Sequence, residues 1–190
     1  MKIDSSRDCL LDARQVPSPN CDDRPSGCEP ELFIIHGISL PPGEFGGQWI
    51  DRLFTNCLDP AEHPYFREIA EQRVSSHLLI RRDGELVQFV PLWKRAWHAG
   101  ASCYKDRDCC NDYSIGIELE GVDTVAYADC QYETLCRTIG GIRGAIPSLA
   151  TAPIVGHSDV APDRKTDPGP AFEWHRLDAG LLNRALNQAP

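Results

Sequence analysis

Six histidines, 28 acidic residues and nine cysteines supply this 190-residue chain with the groups from which a hydrolytic centre is built. A metal hydrolase needs about three protein ligands and one open coordination position, so that a Zn²⁺ ion can bring the pKa of a water to about 7 and polarise a carbonyl. Two imidazoles and a carboxylate would serve. His36 follows the apolar run Leu32-Phe33-Ile34-Ile35, and His157 follows Pro153-Ile154-Val155-Gly156. Both stand at the ends of expected strands, where sheet proteins place reactive groups. His63 and His175 lie near expected helices, His77 lies within a strand, and His98 is in Trp97-His98-Ala99-Gly100.

The segment after His157 is a polar loop stiffened by Pro162, Pro168 and Pro170, and it offers Asp159, Asp163 and Asp167 as alternative third ligands. Residue types alone do not choose among them. Amide hydrolysis also requires a group that takes a proton from water and a cation that faces the developing oxyanion. Glu118 or Glu120 could be the first and Lys165 the second; the plain alternative for each is a solvated surface charge. A cysteine nucleophile is the competing chemistry. Cys109-Cys110 has no nucleophile elbow or helix start behind it, and the spacing of Cys9, Cys21 and Cys28 matches no familiar zinc pattern.

The elements that must position these groups follow from periodicity. Leu32 to Ile35 is too short for a helix and reads as a buried strand, the first ordered element after a Pro-, Asp- and Ser-rich stretch over 1–30. Helices are expected over 48–56 and 65–73. Val74 to Ile80 and Leu86 to Val90 flank Arg82-Asp83-Gly84 as a hairpin. Between Tyr113 and Glu120, Ile115, Ile117 and Leu119 alternate with Gly116, Glu118 and Glu120, which predicts a strand with one face in the core. Residues 129–146 carry apolar side chains at helical spacing up to Pro147, 153–157 reads as a short strand, and 171–187 as a last helix. The expected fold class is α/β (α+β): one domain with a mixed central sheet flanked by helices, residues 1–30 forming an extension packed on a domain of residues 31–190.

Composition narrows the partners. Nineteen basic against 28 acidic residues give a net charge of −9, so a nucleic-acid footprint is missing and adhesion to an anionic membrane or wall polymer is disfavoured. Charges in Met1 to Asp8 replace the apolar stretch of a signal peptide, and no run long enough to span a membrane occurs. The expectation is a cytoplasmic protein with reduced thiols, acting on a small soluble ligand. Nothing sets an oligomeric state, and a monomer suffices. Gly43-Glu44-Phe45-Gly46-Gly47 lacks the Lys-Ser/Thr of a phosphate loop and reads as a turn-rich surface loop.

Taken together and in order, these motifs resemble the type 2 N-acetylmuramoyl-L-alanine amidase and peptidoglycan-recognition-protein family over roughly residues 16 to 175. The resemblance is carried by Ile35-His36-Gly37-Ile38-Ser39-Leu40-Pro41-Pro42-Gly43-Glu44-Phe45-Gly46-Gly47, by His63-Pro64-Tyr65-Phe66, by Arg73-Val74-Ser75-Ser76-His77 and by Trp97-His98-Ala99-Gly100. It continues in Cys110-Asn111-Asp112-Tyr113-Ser114-Ile115-Gly116-Ile117-Glu118-Leu119-Glu120-Gly121 and in Ala161-Pro162-Asp163-Arg164-Lys165-Thr166-Asp167-Pro168-Gly169-Pro170. It implies a Zn²⁺ cofactor held by His36, His157 and Asp167, Glu118 as catalytic acid/base and Lys165 facing the substrate carbonyl. The reaction implied is hydrolysis of the amide between (1,6-anhydro-)N-acetylmuramic acid and L-alanine, with muropeptide as the partner in peptidoglycan recycling.

Arg73, Tyr65, Trp97 and Gly37 match positions that contact substrate, and His77 and His98 match groove-wall or structural positions. Two positions depart from the pattern: Gly37 stands where the family usually has Asn, and Cys109 where it often has Arg. Two other readings share the residues, a non-catalytic muropeptide-binding module and an amidase or endolysin that acts on intact peptidoglycan.

Overall fold

The two longest strands, β2 (Leu32–Ile38) and β5 (Ser114–Glu120), run side by side in parallel, with Glu118 directly opposite His36. In the computed structural model, which describes residues 3–4 and 9–188, they form the centre of a six-stranded mixed sheet of order β6-β2-β5-β3-β4-β1. The other strands are β1 (Arg14–Gln15), β3 (Leu78–Ile80), β4 (Leu86–Gln88) and β6 (Ile154–Gly156). Within this sheet only the β3–β4 pair is antiparallel; it is the expected hairpin, closed at Gly84 in the left-handed conformation that its turn requires.

Strand alternation divides the residues between two faces. Phe33, Ile35, Ile115, Ile117, Leu119, Leu78 and Ile80 pack in one cluster with Leu135, Ile139 and Ile142 of α3 (Asp129–Ala145) and Leu177 of α5 (Trp174–Gln188). Each of these side chains, almost wholly removed from water, contributes about 1.5–3 kcal/mol of transfer free energy. On the opposite face Leu79 and Val87 meet Ile50, Leu53 and Phe54 of α1 (Trp49–Phe54) and Phe66 and Ile69 of α2 (Phe66–Ile69). His36, Glu118 and Glu120 project from this second face, at the C-terminal ends of β2 and β5.

Several expectations need correction. All seven residues of β5 are buried, not one face only, because helices and loops cover both sides of a central parallel strand. Order begins before Leu32: Arg14–Gln15 adds an edge strand beside β4, and Cys21–Asp23 pairs antiparallel with Lys94–Ala96. The helix expected over 65–73 is a single turn, and His157 does not end β6 but opens the short helix α4 (His157–Val160). Cys21, Cys28, Cys57, Cys103, Cys109, Cys110, Cys130 and Cys136 form no disulfide, in line with the expectation of reduced thiols. Residues 1, 2 and 5–8, on which much of the expectation about export rests, lie outside the described residues. No helix of the described residues is long and apolar enough to cross a membrane.

Candidate active site

The β2–β5 register puts His36 and Glu118 on one face at adjacent positions, and the loop after β6 closes over them. His36 Nδ1 lies 2.9 Å from His157 Nδ1 and 3.3 Å from Asp167 Oδ2, while His157 Nδ1 is 3.1 Å from the same oxygen. Among the described residues these three form the one cluster of His, Cys, Asp or Glu side chains suited to a metal ion. The loop separates its three aspartates by use. The Asp159 carboxylate accepts from the Gly156 N–H at 2.7 Å and caps α4, and Asp163 is exposed. Asp167 is pinned in place because its carbonyl accepts from the Ser158 N–H at 3.0 Å, and the next carbonyl, of Pro168, accepts from the Tyr127 hydroxyl at 2.9 Å.

The three converging atoms can be tested for fit to a cation. His157 Nε2 is 3.2 Å from the Ala99 carbonyl, which can only accept. A neutral His157 therefore carries its hydrogen on Nε2 and turns a bare Nδ1 lone pair toward the Asp167 carboxylate. Burial pushes His36 down to about 4, partly offset by Asp167, so it is neutral near pH 7. Burial alone would raise Asp167, but its contacts with His157 and His36 outweigh that and hold the carboxyl well below its usual range. The Asp167 carboxylate and two imidazole nitrogens thus converge at 2.9 to 3.3 Å, where a positive charge belongs. A proton on His157 would relieve one contact, whereas a metal relieves all three. Separations of 2.9 to 3.3 Å also approach the edge of about 3.3 Å expected for a tetrahedral site with bonds of about 2.0–2.2 Å. The donor set, N, N and O, suits Zn²⁺.

The triad opens into a cavity of about 730 Å³, whose lining includes the apolar Leu53, Phe54, Tyr65 and Ile69 and the charged Glu118, Arg164 and Lys165. The Glu118 carboxyl makes no hydrogen bond to another described residue. Burial, and next the charge of Asp167, raise its carboxyl well above the ordinary value, against an opposing effect of Lys165. A carboxyl so placed holds a proton more firmly than a solvated one, as a general acid/base requires. Glu120, the other sequence candidate, is occupied elsewhere: its carboxylate accepts from the backbone N–H of Gly46 at 2.6 Å and of Arg82 at 3.0 Å, and it pairs with Arg81. It fastens the Pro41–Gly47 loop to the hairpin.

Of the expected substrate contacts, Tyr65 and Gly37 line the cavity, and Arg73 and Trp97 are not among its lining residues. The Trp97 indole donates to Asp22 Oδ1 at 3.2 Å, and the exposed Arg73 reaches only carbonyls of its own loop. At the Gly37 departure, a Cβ would lie 2.5 Å from the Tyr127 hydroxyl, so the tyrosine fills the space of a side chain. Ser39, Asp123, Thr124 and Arg164 also line the cavity without having been singled out by sequence. Arg164 donates to the Ala99 and Ala101 carbonyls at 2.5 and 2.8 Å, tying the ligand loop to Trp97-His98-Ala99-Gly100. Its position beside Lys165 was the available signal; nothing in the sequence distinguishes the others.

The family model described as N-acetylmuramoyl-L-alanine amidase matches residues 26–170. This chain belongs to that amidase family. It is 60% identical over 168 residues to the 1,6-anhydro-N-acetylmuramyl-L-alanine amidase AmpD of Escherichia coli K12, covering 88% of this chain and 91% of the relative. To AmpD of Haemophilus influenzae it is 46% identical, covering 91% and 94%. Among solved structures, a selenomethionine AmpD crystal structure superposes with a TM-score of 0.91 at 55% identity, over 95% of this chain and 99% of that one. The amidase AmiD of E. coli, solved with anhydro-N-acetylmuramic acid-L-Ala-D-gamma-Glu-L-Lys, matches at a TM-score of 0.55 and 26% identity, over 83% and 60%. The amidase fold is therefore an enzyme's fold, a mixed sheet between helices, as the sequence pattern indicated.

Beyond the triad, the amidase chain buries a row of imidazoles: ring centroids of His36 and His98 are 5.0 Å apart and those of His98 and His77 5.7 Å apart. Burial, and then the neighbouring Arg24 guanidinium, push His77 down to about 3. An unfolded imidazole binds its proton below about 6.5, whereas folded His77 and His36 bind theirs only near 3 and 4. The stabilisation is complete above the unfolded value and is lost as pH falls. The proton that each of these two imidazoles takes up on unfolding implies a loss of about 5 kcal/mol between pH 7 and pH 4.5 in the metal-free protein, opposed in part by Glu118, whose raised carboxyl favours the folded state as pH falls. Urea unfolding of chelator-treated protein at these two pH values measures it; an unchanged midpoint would contradict the buried, neutral imidazoles.

Proposed function

We propose that this chain is a zinc-dependent amidase that hydrolyses the bond between (1,6-anhydro-)N-acetylmuramic acid and L-alanine in small soluble muropeptides, acting in the cytoplasm in peptidoglycan recycling. The observation that carries the reading is the convergence of His36, His157 and Asp167 beside Glu118 in one cavity. The identity of 46 to 60% to the AmpD enzymes over most of the chain supports the substrate class. The net charge of −9 supports a diffusible substrate over anionic wall polymer. In this reading residues 31–190 are the amidase domain and residues 1–30 an extension packed on it.

His36, His157 and Asp167 would hold a zinc ion, which when bound would acidify a water and polarise the scissile carbonyl. Glu118, with its raised proton affinity, accepts the proton of the attacking water at its carboxylate and passes it to the leaving nitrogen of L-alanine. The Lys165 ammonium faces the carbonyl oxygen and stabilises the negative charge that develops there. Tyr65 and the backbone at Gly37 contact the substrate beside the triad, and Leu53, Phe54 and Ile69 give its apolar portions a dry wall. Complete ligands and a free carboxyl in the cavity favour this reading over a non-catalytic binding module. An enzyme of intact wall would instead release peptide from whole sacculi at least as fast as from soluble anhydro-muropeptide; the recycling reading predicts release chiefly from the soluble substrate.

A further inference from the structure

We propose that Ser114 and His98 are positioning residues which fix the tautomer of His36, so that its bare Nδ1 always faces His157 and Asp167. The inference rests on the reading of those three residues as a metal site, and goes beyond it to two side chains that touch neither metal nor substrate in that reading. The Ser114 hydroxyl is 2.6 Å from the carbonyl oxygen of Cys110, which can only accept, so the hydroxyl hydrogen is committed there. Ser114 Oγ, 3.2 Å from His98 Nε2, is left as an acceptor, and the hydrogen of neutral His98 must sit on Nε2. Its Nδ1 is then a bare lone pair, 2.9 Å from His36 Nε2. His36 therefore donates from Nε2 and keeps Nδ1 free. The opposite order would set two lone pairs against each other at the Ser114–His98 contact and place the His36 hydrogen in the middle of the triad.

The surroundings hold this relay in place. The His98 ring lies against the backbone of β5 at Gly116, where a Cβ would meet ring atoms at 2.6 to 2.8 Å, so only glycine leaves it room. The backbone N–H groups of His98 and Ala99 donate to Asn111 Oδ1 at 3.2 and 2.8 Å, and Cys110 is buried. Outer partners that set ligand tautomers are typically worth about 10–100-fold in metal affinity.

The test uses the whole chain and zinc itself. Affinity is measured by competition with a chromophoric chelator for wild type, Ser114→Ala, His98→Leu and His98→Asn, and the His36 tautomer is read in metal-free wild type and Ser114→Ala by long-range ¹H–¹⁵N NMR. The relay predicts Nε2–H on His36 in wild type, a shift toward Nδ1–H in Ser114→Ala, and weakening of zinc binding by about 10–100-fold in Ser114→Ala and His98→Leu. His98→Asn, whose side-chain oxygen can accept from His36, recovers most of the affinity. Wild-type affinity in Ser114→Ala, or Nδ1–H on His36 in wild type, would overturn it. Should wild type bind no zinc, the metal reading fails, and the NMR assignment still decides the relay on its own.

Discussion

Replacing Asp167 or His157 by alanine is expected to abolish bound zinc, with affinity lowered well beyond the roughly 10–100-fold typical of outer-shell partners. Either substitution leaves two ligands where tetrahedral coordination with an open position needs three. Asp167→Ala also removes the negative charge of the triad, leaving two imidazoles whose Nδ1 atoms are 2.9 Å apart. The measurement is zinc per chain by elemental analysis after gel filtration. His175→Ala and His63→Ala serve as controls and should retain the metal, because His175 is a surface side chain near Glu173 and His63 accepts from the Tyr65 N–H. Retention of zinc in both ligand variants would show that the ion sits elsewhere.

Glu118→Gln should separate binding from chemistry. The glutamine preserves shape and buried volume but cannot accept and return a proton, so turnover should fall by about 10²–10⁴-fold, while zinc content and folding remain. Removal of the buried carboxyl, whose ionised form is disfavoured by burial and by Asp167, should not lower stability. Single-turnover kinetics with muropeptide, set beside metal analysis of the same preparation, make the comparison. A variant that loses zinc along with turnover would reassign Glu118 to the metal shell; one that keeps full turnover would remove it from the reaction.

Much of this was legible in the residues themselves. Leu32 to Ile35, the Asp83-Gly84 turn and the apolar spacing of 129–146 each encode their element locally. The short edge strand Arg14–Gln15 does not, because two residues carry no period and their order comes from β4. Burial of both faces of β5 was hidden for a related reason: Gly116, Glu118 and Glu120 look like a solvent side, yet they face His98, the cavity and the Gly46 loop.

At the site, spacing could not tell Asp167 from Asp159 or Asp163. What distinguishes them is the capping bond of Asp159 and the exposure of Asp163, both products of the fold; family resemblance alone pointed to Asp167 beforehand. The contact of His98 with His36 crosses 62 residues and depends on a glycine in a third segment, so no motif announces it. Trp97 and Arg73 were placed near the substrate by motif, but pairing of Trp97 with Asp22 and the exposure of Arg73 set them outside the cavity lining.

The most direct measurement is mass spectrometry of zinc-loaded protein incubated with 1,6-anhydro-N-acetylmuramyl tripeptide. Two products are expected, the free tripeptide beginning with L-alanine and anhydro-N-acetylmuramic acid, whose masses together equal the substrate plus one water. An intact substrate with and without added zinc, or cleavage between amino acids instead of at the lactyl amide, would contradict it.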